Sequence, residues 1–200
     1  VMNGSGQVIS SINDTSLQGG GAGSGLLVDN FETLTTEDEI FFGKNDVFYI
    51  YNISLIRACN GSVGTTGTIG HPLWTEWASV SQGSEIVFAS GTQFTAINTT
   101  CGKVANFTLS ASSTSSWDVG DLDGDNKAEL VIGNGSILYG YDNNGKSIFN
   151  FTAPASQEFD NLNDIDGGLV DVANIITASS SSEIIAATRG FGSSGGIIYL

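Results

Sequence analysis

The chain has 200 residues, a formal net charge of −15 and only six Lys and Arg together. Phosphate contacts need a basic face, so nucleic acid and anionic membrane surfaces are excluded as partners. Charged residues make up 14%, Gly numbers 27 and Pro 2, a composition that suits many strands joined by tight turns.

No sustained 3.6-residue periodicity is present, and no apolar run approaches the roughly 20 residues of a membrane span. The length is enough for one domain with a sizeable core. The acidity favours solubility, or an acidic habitat in which carboxylates are protonated.

The first residue is Val1, and no apolar leader is visible. A secreted protein would therefore have lost its signal peptide already. Residues 1–18 contain Asn-Gly-Ser-Gly-Gln-Val-Ile-Ser-Ser at 3–11, turn residues followed by an alternating strand. A Gly-rich linker follows at 19–25. Its root-mean-square span of roughly 15 Å would let the strand fold back on its own domain or insert into a neighbour.

From residue 26 to 200 the sequence repeats four times. An acid followed by a short apolar run recurs at 39–43, 85–89, 129–133 and 183–187. A polar turn and a second run follow each, at 47–51, 93–97, 137–141 and 197–200. Hairpin turns then lead to further strands near 104–107 and 147–151, the second through Asn144-Gly145. Upstream of each acid lies another expected strand, at 26–28, 77–80, 117–119 and 169–172.

Four strands in about 45 residues is the signature of a β-propeller blade. The expected fold is all-β, a small four-bladed propeller-like domain with an N-terminal strand; the alternative is a β-sandwich. The repeats fall near 26–70, 71–112, 113–157 and 158–200. The fourth ends after its third strand, and residues 3–11 are the candidate for its missing fourth.

Asn-X-Ser/Thr occurs at Asn3, Asn13, Asn52, Asn60, Asn98, Asn106, Asn134 and Asn150. Chance predicts roughly three such sites, so N-glycosylation in an extracellular setting is expected. Cys59 and Cys101 are the only cysteines. With a single histidine they cannot complete a zinc site, and one disulfide is expected.

The third repeat carries Asp121, Asp123 and Asp125 in alternation, then Glu129. Hard Ca2+ takes six to eight oxygens, and acids at positions 1, 3 and 5 of a tight loop would point inward. Lys127 would offer its backbone carbonyl, and Glu129 would close the sphere. Gly124 and Asn126 tolerate the left-handed backbone such a turn needs. A second, degraded candidate contains Asp164 and Asp166.

Residues 119–133, Val-Gly-Asp-Leu-Asp-Gly-Asp-Asn-Lys-Ala-Glu-Leu-Val-Ile-Gly, resemble the FG-GAP repeat of integrin-α-type propellers. Residues 140–149 resemble blades of quinoprotein-like propellers. The resemblance covers about 35 residues, with Glu129 where the family usually has Asp and Asn126 where it has Gly. It implies calcium on Asp121, Asp123, Asp125, the Lys127 carbonyl and Glu129, and a scaffold with no enzymatic activity. No catalytic elbow, triad or phosphate loop is evident.

Two functions fit. One is a structural subunit of an extracellular filament or coat, partnered by copies of itself. In general plan, though not in any motif, this resembles archaeal filament subunits that assemble by strand donation. The other is a monomeric adhesin or lectin-like module that binds a carbohydrate or surface protein.

Overall fold

The computed structural model describes residues 5, 7, 8, 11, 26–29, 38–64, 69–78, 84–110, 116–155, 157–159, 170–173, 181–190 and 197–199. The linker 19–25, most of segment 1–18, Asn3, Asn13, Asp164 and Asp166 lie outside them.

The first sheet contains β1 (Leu26–Asp29), β2 (Glu39–Lys44), β3 (Val47–Asn52) and β4 (Arg57–Ser62) in chain order. The second repeats that order with β5 (Ile69–Thr75), β6 (Glu85–Ser90), β7 (Gln93–Ile97) and β8 (Lys103–Thr108). The third contains β9 (Trp117–Gly120), β10 (Glu129–Asn134), β11 (Ile137–Tyr141) and β12 (Ser147–Thr152). Next come β13 (Gln157–Glu158), β14 (Val170–Ala173), β15 (Glu183–Ala187), β16 (Arg189–Gly190) and β17 (Ile198–Tyr199). The fourth sheet has the order β14-β15-β17, and β13 pairs separately with β16. All pairings are antiparallel.

The apolar runs work as two-faced strands. Ile86 and Phe88 of β6 pack with Phe41, Phe48 and Ile50 of the first sheet. Val87 and Ala89 alternate with them and pack with Leu130 and Ile132 of the third. In β10 the intervening Val131 faces the other way, onto Phe159, Val170 and Ala186. Period-two alternation thus buries both faces of the middle sheets against different neighbours. A sandwich gives each sheet one inner face, so this arrangement is a propeller-type stack of blades.

The fifth residue of the first and third runs is glycine for a reason of spacing. A Cβ added to Gly43 would lie 2.5 Å from Ile69 Cγ2 of the second sheet. At the equivalent Gly133 it would lie 2.7 Å from Phe159 Cβ.

One strand assignment needs correction. The inner strand of the second blade is β5, Ile69–Thr75; of the expected strand 77–80, Trp77 and Ala78 are not in a strand and residues 79–80 lie outside the described residues. The backbone N–H groups of Trp77 and Ala78 donate to the Glu85 carboxylate instead of to a ladder. The Trp77 indole is 1% exposed and fills the space between the second and third sheets. Pro72 obscured the true strand, but it sits where the β5–β6 register shifts, between Gly70 and Leu73. A bulge is one of the few strand positions that accept proline.

The second hairpin of each complete blade shares one geometry. Leu55, Cys101 and Gly145 stand at equivalent turn positions with φ of 59°, 62° and 79°. Each hairpin is followed by a register shift, at Ile50/Tyr51, Ala96/Ile97 and Gly140/Tyr141. This is the pattern of a turn closed by a left-handed residue and a bulge. Cys59 on β4 and Cys101 in the β7–β8 turn form a disulfide that joins the first blade to the second, with Cα atoms 6.0 Å apart.

Candidate metal centre

The acidic loop spans 121–128, between the innermost strand β9 and its neighbour β10. Its shape is set by its own carboxylates. Asp121 Oδ1 accepts from Gly124 N at 2.7 Å and Asp125 N at 3.1 Å, while Oδ2 accepts from Asn126 N at 2.9 Å. Asp123 Oδ1 accepts from Asp125 N at 3.1 Å. Gly124 and Asn126 take φ of 83° and 64°, so the left-handed residues fall where the turn requires them.

Asp121, Asp123 and Glu129 converge. Each offers a carboxylate oxygen, and these oxygens lie within 4.8 Å of one another. Such a cluster can hold a metal ion through hard oxygen donors. Asp125 is placed differently. Its Oδ2 accepts from Lys127 Nζ at 2.8 Å and its Oδ1 from Lys127 N at 2.9 Å. The hydrogen bond from Lys127 holds the Asp125 carboxyl below the usual range and raises the Lys127 ammonium in return.

Glu129 is 4% exposed, and its Oε2 accepts from Leu122 N at 2.8 Å. Burial pushes its carboxyl up to about 7, against the Leu122 hydrogen bond, and the charges of Asp123, Asp125 and Asp121 push it further. A cation among these groups would reverse that penalty.

The loop is also tied to both neighbouring blades. Ala128 N donates to the Glu76 carbonyl of the second blade at 2.9 Å. Ser182 N, beside the fourth blade's β15, donates to the Asp121 carbonyl at 2.5 Å. The roles of Glu129 as a backbone acceptor and Glu76 as a neighbour were not read from the sequence. The recurring acid at the head of each apolar run was the visible signal for Glu129, and nothing in the sequence marked Glu76.

The sequons divide by position. Asn60, Asn106 and Asn150 are exposed on β4, β8 and β12. Asn52 and Asn98 open hairpin turns: Asn52 Oδ1 accepts from Ile56 N at 2.9 Å, and Asn98 Oδ1 from Gly102 N at 2.7 Å. Asn134 ends β10, half-buried.

No protein-family model matches the sequence, and no curated protein matches it. Among solved structures, the chain is similar to one described as the crystal structure of BBS1N in complex with ARL6DN, soaked with lead. The TM-score is 0.52 at 13% identity, covering 82% of this chain and 47% of that one. A mercury-soaked crystal of the same complex matches at TM-score 0.41 and 12% identity, over 88% of this chain and 68% of that one.

Proposed function

We propose that the chain is a calcium-stabilised structural module of an extracellular filament or surface coat, joined to its copies by β-strand addition. The likeness to BBS1N is one of β-propeller fold, and the chain spans about half the length of the structure it matches. The observation that carries this reading is the fourth sheet. Among the described residues it has three strands, where each of the first three sheets has four. An open sheet edge presents unpaired N–H and C=O groups that a further strand can satisfy.

The strand proposed for that edge is 3–11, which repeats the turn-then-strand pattern of 144–152. Val8 within it forms a β-bridge within its own chain, so donation to a copy would exchange an intramolecular pairing for an intermolecular one. Passed head to tail between copies, such a strand builds a filament. The disulfide supports an oxidising, extracellular setting. The ion proposed for the loop is Ca2+, on Asp121, Asp123 and Glu129, joined by Asp125 and the Lys127 carbonyl as in the FG-GAP pattern. Its role is structural, because the loop that would hold it is bonded to the blades on both sides.

Deleting residues 1–18 should abolish polymers seen by electron microscopy while far-UV circular dichroism still reports a folded β domain. Polymers formed by the deletion variant would sink the proposal. A second reading, an adhesin-like module for a carbohydrate or surface protein, draws on Trp74, which is 40% exposed on β5. It draws also on the matched BBS1N structure, which is described as a complex with ARL6DN. A monodisperse monomer whose ligand binding is lost in Trp74→Ala would favour it.

A further inference from the structure

We infer that Asn60, Asn106 and Asn150 are N-glycan acceptors that cover the outer edges of the three complete blades and leave the fourth blade's edge as the site of strand addition. The three lie at one position of the fold. Asn60 pairs with Tyr49, Asn106 with Thr95 and Asn150 with Tyr139, each the third residue of its blade's third strand. The hydroxyl residues of the three sequons align in turn: Ser62 with Val47, Thr108 with Gln93, Thr152 with Ile137. In all three blades the strand that carries the sequon is the last of its sheet.

Strand chemistry does not account for asparagine here. Asn is depleted in strands, and none of these three is in a turn or at a cap. Asn52 and Asn98 differ, since their side-chain oxygens serve hairpin turns. The third blade fills that role with Asp142, whose Oδ1 accepts from Lys146 N at 2.8 Å and cannot carry a glycan. Turn geometry therefore explains those two sequons, and the outer-strand set remains for a different purpose.

That purpose follows from the edges. Natural sheets guard exposed edges with charges, proline or cover. β12, Ser-Ile-Phe-Asn-Phe-Thr, has no charged residue and leaves Ile148 and Phe151 47% and 40% exposed. β4 and β8 each carry a single charge, Arg57 and Lys103, at the first residue. A bulky hydrophilic glycan in mid-strand would block pairing between copies at these three edges. The segment proposed for the fourth edge departs from the pattern. Aligned with 144–152, segment 3–11 places Ile9 where the third blade has Asn150. A strand meant to pair would carry no glycan there.

In each modification the amide Nδ2 bonds to the anomeric carbon of an oligosaccharide carried on a lipid phosphate. The bond from that carbon to the phosphate oxygen breaks, the phosphate leaves with the electron pair, and the amide gives up one proton. The assignment of acceptors stands on register alone. Only the directing role rests on the strand-addition reading.

Glycopeptide mass spectrometry of the full chain purified from its native source tests the assignment. Peptides containing Asn60, Asn106 and Asn150 should carry glycan mass, and those containing Asn52 and Asn98 should not. Unmodified outer-strand peptides, or glycan confined to the turn sites, would overturn it. The variant N60Q/N106Q/N150Q, made in the same host, should keep its circular dichroism and bundle laterally in electron micrographs. Dispersion like that of the native protein would overturn the directing role. Where the triple variant does not accumulate, the three single variants are compared, each expected to increase light scattering. If deleting residues 1–18 leaves polymers intact, the strand-addition reading falls while mapped glycans still stand.

Discussion

Glu85 and Glu129 occupy one position in successive blades, and each turns a carboxylate oxygen back onto the same backbone group. Glu85 Oε2 accepts from Trp77 N at 2.9 Å, and Glu129 Oε2 accepts from Leu122 N at 2.8 Å. In both, the donor is the second residue after the blade's innermost strand. The acid is therefore first a device that closes the loop between strands one and two. In the third blade, Asp121 and Asp123 add oxygens around it and make a cluster that could hold a cation. The second blade has Glu76 at the Asp121 position and Ala78 at the Asp123 position. Glu85 Oε1 and Glu76 Oε2 are there buried without a hydrogen-bond partner.

The Glu129 carboxyl sets a pH dependence with a definite sign. Its folded value of about 7 lies above the ordinary 4.5, chiefly because of burial. Without metal, its contribution to stability is full below about 4.5 and is lost as pH rises through about 7. In chelator, the melting temperature should fall between pH 5 and pH 8, and Glu129→Gln should flatten that fall. Gln can still accept from Leu122 N. With calcium the native protein should gain more at pH 8 than at pH 5, because the ligand must lose its proton to bind. An equal slope in the variant would show that another group sets the dependence.

Lys127 competes for Asp125. The carboxylate that the FG-GAP pattern gives to calcium lies 2.8 Å from the Lys127 ammonium instead. If calcium draws Asp125 into its shell, that ion pair must open. Lys127→Ala removes the competitor and keeps the backbone carbonyl, so calcium affinity by titration calorimetry should rise a few-fold. Asp125→Asn should lower it. Unchanged affinity in both variants would leave the ion to Asp121, Asp123 and Glu129.

Much of this was legible because the repeat unit is a physical unit. A strand buried on both faces must be apolar at every position, so the second strands appear as runs headed by an acid and ended by a small residue. The acidic loop was legible because Asp121, Asp123 and Asp125 alternate around Gly124. The inner strand of the second blade was not. Trp77 and Ala78 look like a strand, yet their N–H groups serve a carboxylate, and Pro72 hides the real one at a bulge. Nor could sequence sort the sequons, since only register separates an outer-strand Asn60 from a turn Asn52.

The disulfide carries a strained partner. Cys101 holds φ of 62°, where the third blade has Gly145 at 79°. The chain-entropy model gives a loop of this size about 4 kcal/mol. Urea denaturation of C59A/C101A should therefore show a loss of roughly 2–4 kcal/mol. C59A/C101G should recover about 1 kcal/mol of it, because glycine accepts the left-handed backbone without cost. A glycine variant no more stable than the alanine one would refute the strain.

Gly145 couples the third blade to the second, and a pair of alanine substitutions separates its two constraints. Its φ is 79°, and an added Cβ would lie 2.4 Å from Phe107 Cγ on the neighbouring outer strand. Gly91 also has positive φ, 61°, but an added Cβ there meets nothing within 4 Å. Gly91→Ala should thus cost only the backbone strain, about 1–2 kcal/mol. Gly145→Ala should cost a further 1–3 kcal/mol for overpacking. The same hairpin receives the Trp77 indole, whose Nε1 donates to the Asn143 carbonyl at 3.1 Å, and Trp77 stacks on Phe107 at 6.2 Å. Displacing Phe107 should therefore also shift Trp77 fluorescence to the red in Gly145→Ala and not in Gly91→Ala. Equal losses in the two variants would show that backbone strain alone matters at Gly145, and that the blades are not coupled through it.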